Sequence, residues 1–169
     1  NDSRPTDPDR LLVQGAIDIC LLQFSGAIWY PMVYEMPARA AEALAKKKRA
    51  AQFTRAARYV EIISPRVVIP SAGPHCFLDD ELFRWNDVHD ADDSIFPDQR
   101  FMVERLQAEG QAAVLMLPGS VGEFNADGIF NVQHLQGDLS VQDVFANKEV
   151  YLRRYAADMA PVIAAEKAS

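Results

Sequence analysis

His75, His89, His134, Cys20 and Cys76 are all the histidines and cysteines in this chain of 169 residues. None of the spacings that make a metal or nucleophile site legible is present. There is no His-x-His, His-Glu-x-x-His, Cys-x-x-Cys or Gly-x-Ser-x-Gly, no Walker loop and no dinucleotide glycine fingerprint. His75-Cys76 is the best local candidate, because it follows the apolar run Arg66-Val-Val-Ile-Pro70 within Ser71-Ala-Gly-Pro-His-Cys-Phe77. A histidine just beyond a strand is rigidly placed for ligation, although a lone histidine beside proline is more often a structural hydrogen-bonder. Cys76 suits a small buried hydrophobe better than a nucleophile. Asp2 is a second candidate: a carboxylate in a turn can bridge metal ions, while Asn-Asp-Ser is also an ordinary turn sequence. Asp87, His89, Asp90, Asp92 and Asp93 are dense in ligand atoms, yet lack the central Gly and final Glu of a calcium loop, which leaves an exposed acidic loop as the simpler account. Trp29, Tyr30 and Tyr34 carry polar tips on apolar bodies, as pocket-lining aromatics do, and could equally pack the top of a sheet.

These residues need elements to place them. Ile17-Asp-Ile-Cys-Leu-Leu-Gln-Phe24 reads as a buried strand running into Ser25-Gly-Ala-Ile-Trp-Tyr-Pro31. Asp18 is the anomaly in that run, either facing solvent at the strand start or lying in a polar site. Arg66 to Ile69 reads as a second, β-branched strand. Between them, Pro37 to about Ile62 carries the clearest helix pattern, which makes a strand–helix–strand unit with both strand ends on one side. Open α/β sheets bind ligands beyond the carboxyl ends of strands, where Gly and Ser let backbone approach closely. Ser25 and Gly73 stand at those two places.

The rest of the pattern predicts a short helix over Pro8–Gln14 closed by Gly15 and a helical turn over Asp79–Trp85. It adds a helix over Pro97–Gln107, a third strand over Ala112–Leu117, a long loop to Gly128 and an edge strand over Ile129–Leu135. A last helix runs from Ser140 to about Ala160, with Ser140 as N-cap, Asp143 at N3 and Pro161 ending or kinking it. Lys46, Lys47, Lys48, Arg49, Arg55 and Arg58 form a basic set on the long helix, either a face for an anionic partner or a solvated surface.

A net charge of −7 argues against general affinity for nucleic acid or anionic membranes. Two cysteines make no disulfide framework and fit reduced thiols of a cytoplasmic protein. The first residues carry no initiator Met, and the last stop inside a helix-compatible stretch, so the expectation is a part of a longer protein or a processed piece.

Asn-Asp-Ser-Arg-Pro at 1–5, Leu-Gln-Phe-Ser-Gly-Ala-Ile-Trp-Tyr-Pro-Met-Val-Tyr-Glu at 22–35, Ile-Pro-Ser-Ala-Gly-Pro-His-Cys-Phe-Leu at 69–78 and Ile-Phe-Pro-Asp-Gln at 95–99 together resemble one family. It comprises bacterial metallo-β-lactamase-fold proteins, many carrying a Rieske [2Fe-2S] domain, related to CMP-N-acetylneuraminate monooxygenase. The resemblance covers about the first two-thirds of the chain. It implies an α/β fold, the C-terminal half of a metallo-β-lactamase-like αβ/βα sandwich with a mixed sheet and flanking helices. Residues 1–135 would be that half and 136–169 a C-terminal helical extension. The missing N-terminal half, with the main His-x-His-x-Asp-His ligands, would be the partner.

Asp2 falls where that family places its bridging Asp. The last His ligand normally follows the strand ending here at Ile69-Pro70, but the matching positions hold Ser71 and Ala72, and the nearest histidine is His75. The resemblance thus implies a divalent metal (Zn, Fe or Mn) held in part by Asp2 and His75. A pocket shaped by Ser25, Trp29, Tyr30 and Gly73 would take a small polar metabolite. A Rieske cluster needs Cys-x-His and Cys-x-x-His, both absent, so the cluster would lie outside this chain. The expected activity is hydrolysis by metal-bound water or Rieske-linked oxygenation in the full-length protein, the piece alone being inactive. The alternative is a ligand- or partner-binding domain with a decayed metal site.

Overall fold

Two apolar runs pair in parallel and set the frame. β1 (Ile19–Gln23) and β2 (Val67–Ser71) run in register from Ile19 opposite Val67 to Gln23 opposite Ser71. The computed structural model describes residues 7–26, 28–88, 94–134 and 140–168, except the side chains of residues 8 and 14. The connection is α1 (Ala38–Ile63), ended by Ser64 in the left-handed region at φ +46°. Asp18 lies just before β1, where its carboxylate meets Arg66 at 3.0 Å, so it faces solvent at the strand start. The same guanidinium donates to the Gly128 carbonyl at 2.8 Å and lies over the Phe124 ring at 3.9 Å.

Leu22 and Val68 face α1 and α2 (Gln99–Ala108). Phe24, Phe53, Ala56, Val60, Met102, Val103, Leu106 and Ala113 complete that core. By strand alternation Ile19 and Leu21 point the other way, and Leu21 is 70% exposed. β1 is therefore half-buried rather than buried on both faces as its continuous apolar run predicts.

The expected third strand shrinks to one parallel bridge between Val68 and Ala113, closed by Val68 N–H to Ala112 O (2.9 Å) and Val114 N–H to Val68 O (3.0 Å). Pro118 brings no N–H, and the chain turns at Gly119 (φ +85°), so pairing stops. The stretch read as a long loop holds β3 (Val121–Phe124), which pairs antiparallel with β4 (Phe130–Gln133) as a hairpin. The predicted turn over Asp79–Trp85 includes a 3-10 helix at Phe83–Asn86, and the expected short first helix is 3-10 at Pro8–Gln14.

Ser140 and Asp143 form the expected reciprocal capping box at the start of α3 (Val141–Ala146). The single long helix is interrupted at Asn147, and α4 (Lys148–Ala168) then runs through Pro161 without ending there. None of its residues is buried. Instead Lys148 meets Asp98 at 2.9 Å, Arg153 meets Asp80 at 3.3 Å and lies over Phe83 at 3.5 Å, and Lys167 meets Asp79 at 2.9 Å. The two outer pairs are exposed and therefore screened by salt. Amide exchange over the second half of α4 should speed up between about 0.05 M and about 1 M NaCl while α1 stays protected. Equal protection of α4 at both salt levels would show that something other than charge holds it.

The basic set on α1 does not form one face. Lys46 pairs with Glu42, Arg49 stacks over Phe53 and Phe101, and Lys48 turns inward.

Candidate functional site

Parallel register places the two loops side by side, because Gln23 and Ser71 end their strands opposite each other. The loops touch immediately beyond. A Cβ on Gly73 would lie 3.1 Å from Ser25 Cβ and 3.7 Å from Phe24 Cε1, so only glycine sits easily there. Ala72, one residue earlier, is held in the left-handed region at φ +53°. Such strain in a non-glycine residue persists where surrounding contacts overdetermine it, and it gathers at functional sites. Ser25 is 4% exposed, and its hydroxyl has no hydrogen-bond partner among the described residues.

An aromatic cluster locks the outer parts of both loops. Phe96, fully buried, meets Trp29 at 5.1 Å, Phe77 at 5.2 Å and His75 at 5.5 Å between ring centroids. Trp29 also meets Phe77 at 5.2 Å and Trp85 at 5.8 Å. Buried Asn86 fixes Phe77 by accepting its N–H (2.8 Å) and donating to its carbonyl (2.7 Å), with a further bond to the Phe83 carbonyl. Trp29 from the first loop and His75 from the second are thus joined through Phe77 and Phe96.

The long helix contributes two residues that sequence reasoning did not place here. Lys48 donates to the Ile28 carbonyl and lies 5.7 Å from the Phe96 ring centre. Burial lowers its pKa from the ordinary lysine value. Gln52, one turn on, is buried with its Oε1 unpartnered among the described residues, and its Nε2 would stand 2.9 Å from a Cβ on Gly26. The signal for both was available: they lie four apart on the helix, and the neighbouring core positions Ala45, Phe53 and Ala56 mark that side as inward.

Of the predicted site residues, Ser25 and Gly73 come into contact, and Trp29 and His75 share the Phe96 cluster. Tyr30 does not join them. Its ring meets Tyr34 edge-on at 5.7 Å, and both residues are exposed. A cis peptide bond joins Tyr30 to Pro31. Asp2 lies outside the described residues, as do His89, Asp90, Asp92 and Asp93, while Asp87 is buried with φ +52°. His134 sits elsewhere, its Nδ1 2.7 Å from Ser120 Oγ across the hairpin.

Among the described residues no group of three His, Cys, Asp or Glu side chains could hold a metal ion. Among the described residues His75 meets the rings of Phe77 and Phe96. With Cys-x-His and Cys-x-x-His both absent, the chain does not fit a [2Fe-2S] cluster. Cys20 is half-buried on β1, Cys76 is exposed, and desolvation raises both thiols, partly offset at Cys76 by Lys148. A raised thiol is a poor thiolate nucleophile near neutral pH. A cavity of about 850 Å³ lies between α2, β4 and α3, lined by Val103, Leu115, Val132, His134 and Phe145 among others; no predicted site residue borders it. Among the described residues no helix is long and apolar enough to cross a membrane.

Across 171 aligned positions, 99% of this chain, the sequence is 46% identical to a Mycolicibacterium smegmatis protein named "Putative Rieske 2Fe-2S iron-sulfur protein". It is 44% identical over the same share to a Mycobacterium tuberculosis protein of that name. The chain spans 33% of the length of each relative. No family model matches the chain. No solved structure matches it.

Proposed function

We propose that this chain is the substrate-binding portion of a Rieske-linked oxygenase that acts on a small polar metabolite, with the cluster carried by residues outside it. The observation that carries the reading is the convergence of two loops at the carboxyl ends of β1 and β2, where Ser25 meets Gly73 and Trp29 meets Phe77. Similarity over 99% of the chain to proteins named for a Rieske cluster supports the iron–sulfur part. The absence of Cys-x-His and Cys-x-x-His supports placing the cluster elsewhere in the polypeptide.

The proposal extends to the fold: half of a metallo-β-lactamase-like αβ/βα sandwich completed by an N-terminal half of the same protein. In support, α1 and α2 cover one face of the β1–β2 pair, while on the other Ile19 and Leu21 of β1 leave apolar surface beside buried Val67 and Ile69 of β2. Within this portion the residues' work is to bind and orient. Ser25, Gly26 and Gly73 bring backbone and one hydroxyl close to a ligand, and Trp29 with Phe77 supplies an apolar wall.

The test is made on the full-length protein that contains this segment. Iron and acid-labile sulfide should be present in equal amounts, and the reduced protein should give the electron-paramagnetic signature of a [2Fe-2S] centre with histidine ligands. Because neither cysteine of this chain is assigned to the cluster, a C20A/C76A double variant should keep that signal. Absence of the cluster in wild type, or its loss in the double variant, would overturn the proposal. A second reading, a binding domain with a decayed metal site, is favoured by Ser71 and Ala72 standing where the resembled family carries its last His ligand. Stoichiometric zinc, iron or manganese beyond the cluster iron, lost in H75A, would count against it.

A further inference from the structure

Lys48 differs from six other cations among the described residues. Lys46, Arg66, Arg105, Lys148, Arg153 and Lys167 each lie within ion-pair distance of a carboxylate. Lys48 forms no such pair among the described residues; it meets the Ile28 carbonyl and the face of Phe96. One carbonyl takes one of an ammonium's three donors, and an aromatic face attracts the charge without accepting a strong hydrogen bond. In a protein of net charge −7, carboxylates were plentiful, yet none of those described closes this position.

The surroundings suit a bound anion. Gly26 packs against Gln52 and Ile28 against Lys48, so the first loop runs along the helix face that carries both side chains. The Ser25 hydroxyl, 4% exposed, and Gln52 Oε1, in a residue 6% exposed, are both unpartnered among the described residues. Leaving such atoms unpaired costs about 1–3 kcal/mol each, a cost that a ligand with matching groups removes. Desolvation of the ammonium acts in the same direction, since an anion beside it restores the stabilisation that water no longer gives.

We propose that the junction of the two strand-end loops with α1 is an anion-binding subsite in which Lys48 anchors a carboxylate or phosphate group of the ligand. Ser25 donates to that ligand, and Gln52 Oε1 accepts from a hydroxyl or amine on it. The proposal rests on reading the strand ends as a substrate site and narrows the metabolite to a small hydroxylated or aminated acid or phosphate ester.

The experiment uses full-length protein with inorganic phosphate and lactate as separate probes, at ionic strength held constant with NaCl. At least one probe should raise the melting temperature saturably in wild type. K48M should weaken that binding about tenfold or more, and K48R should retain most of it. Reductive methylation of wild type, read residue by residue by peptide mass, keeps the test open even if K48M fails to fold: the bound probe should protect Lys48. Phosphate preference marks a phosphate ester, and lactate preference a hydroxy acid. Neither probe acting beyond matched NaCl, equal binding by K48M, or no protection of Lys48 would each overturn the subsite. The cluster measurement reads the wider assignment separately. A protein without a cluster that still binds a probe through Lys48 keeps this subsite and loses the oxygenase reading.

Discussion

Phe96→Ala should lower stability by about 3–5 kcal/mol, the range for emptying a fully buried aromatic site. Phe96 is completely buried, and its ring holds Trp29, Phe77 and His75 at 5.1–5.5 Å, with Lys48 above it at 5.7 Å. Its neighbours come from both strand-end loops and from α1, so collapse into the void is resisted on three sides and most of the cavity cost remains. Both tryptophans of the chain, Trp29 and Trp85, belong to the same cluster. The variant should therefore red-shift tryptophan emission and flatten the near-ultraviolet circular dichroism while far-ultraviolet helix signal persists. Tyr30→Ala is the control: that residue is exposed and its ring meets Tyr34 edge-on at the surface, so its loss should cost under about 1 kcal/mol. Denaturant titration of the full-length protein decides it, and a change in Phe96→Ala below that of Tyr30→Ala would refute the role assigned to this ring.

Asp98→Ala should cost about 3–5 kcal/mol, because it leaves a lysine desolvated and unpaired. Asp98 side-chain exposure is 3% and that of Lys148 is 16%, with the two 2.9 Å apart. Asp98 stands at the N-cap position of α2, yet its side chain makes no capping bond; it is directed to Lys148, the first residue of α4. One ion pair thus ties the beginning of α2 to the beginning of an otherwise exposed helix. Loss of Asp98 should raise exchange along the first turns of α4, where the exposed pairs at Arg153 and Lys167 offer little compensation. The double variant D98L/K148M should recover much of the stability, since a well-packed apolar pair often replaces a buried ion pair without loss. A double variant no better than Asp98→Ala would mean that the carboxylate acts chiefly on α2 through its helix dipole.

Local pattern was enough for the elements that local chemistry specifies. Ser140 and Asp143 announce their capping box three residues apart, Gly15 closes the first helix at φ +96°, and the α1 boundaries follow from Pro37 and Ser64-Pro65. The two parallel strands and their adjoining loops were also readable, because apolar runs followed by small residues carry their own signal. Pairing across the chain was not. Ala112–Leu117 has strand composition, but it pairs with β2 only through the bridge at Ala113, closed by Ala112 and Val114, before the Pro118-Gly119 turn diverts it. Pro161 has breaker composition, but α4 is solvent-exposed and absorbs one missing N–H.

The candidate site divides in the same way. The sequence by itself determined which residues stand at the strand ends: Ser25, Trp29, Gly73 and His75 follow their strands at short range. Only the tertiary structure decided what they face. Phe96 joins the two loops, Lys48 and Gln52 come to them from α1, and Tyr30 turns away onto Tyr34. Hydrophobic burial and close packing choose among many distant partners of similar character. Residue type and spacing specify a strand, a turn or a cap, but not which aromatic from a distant loop fills the space above it.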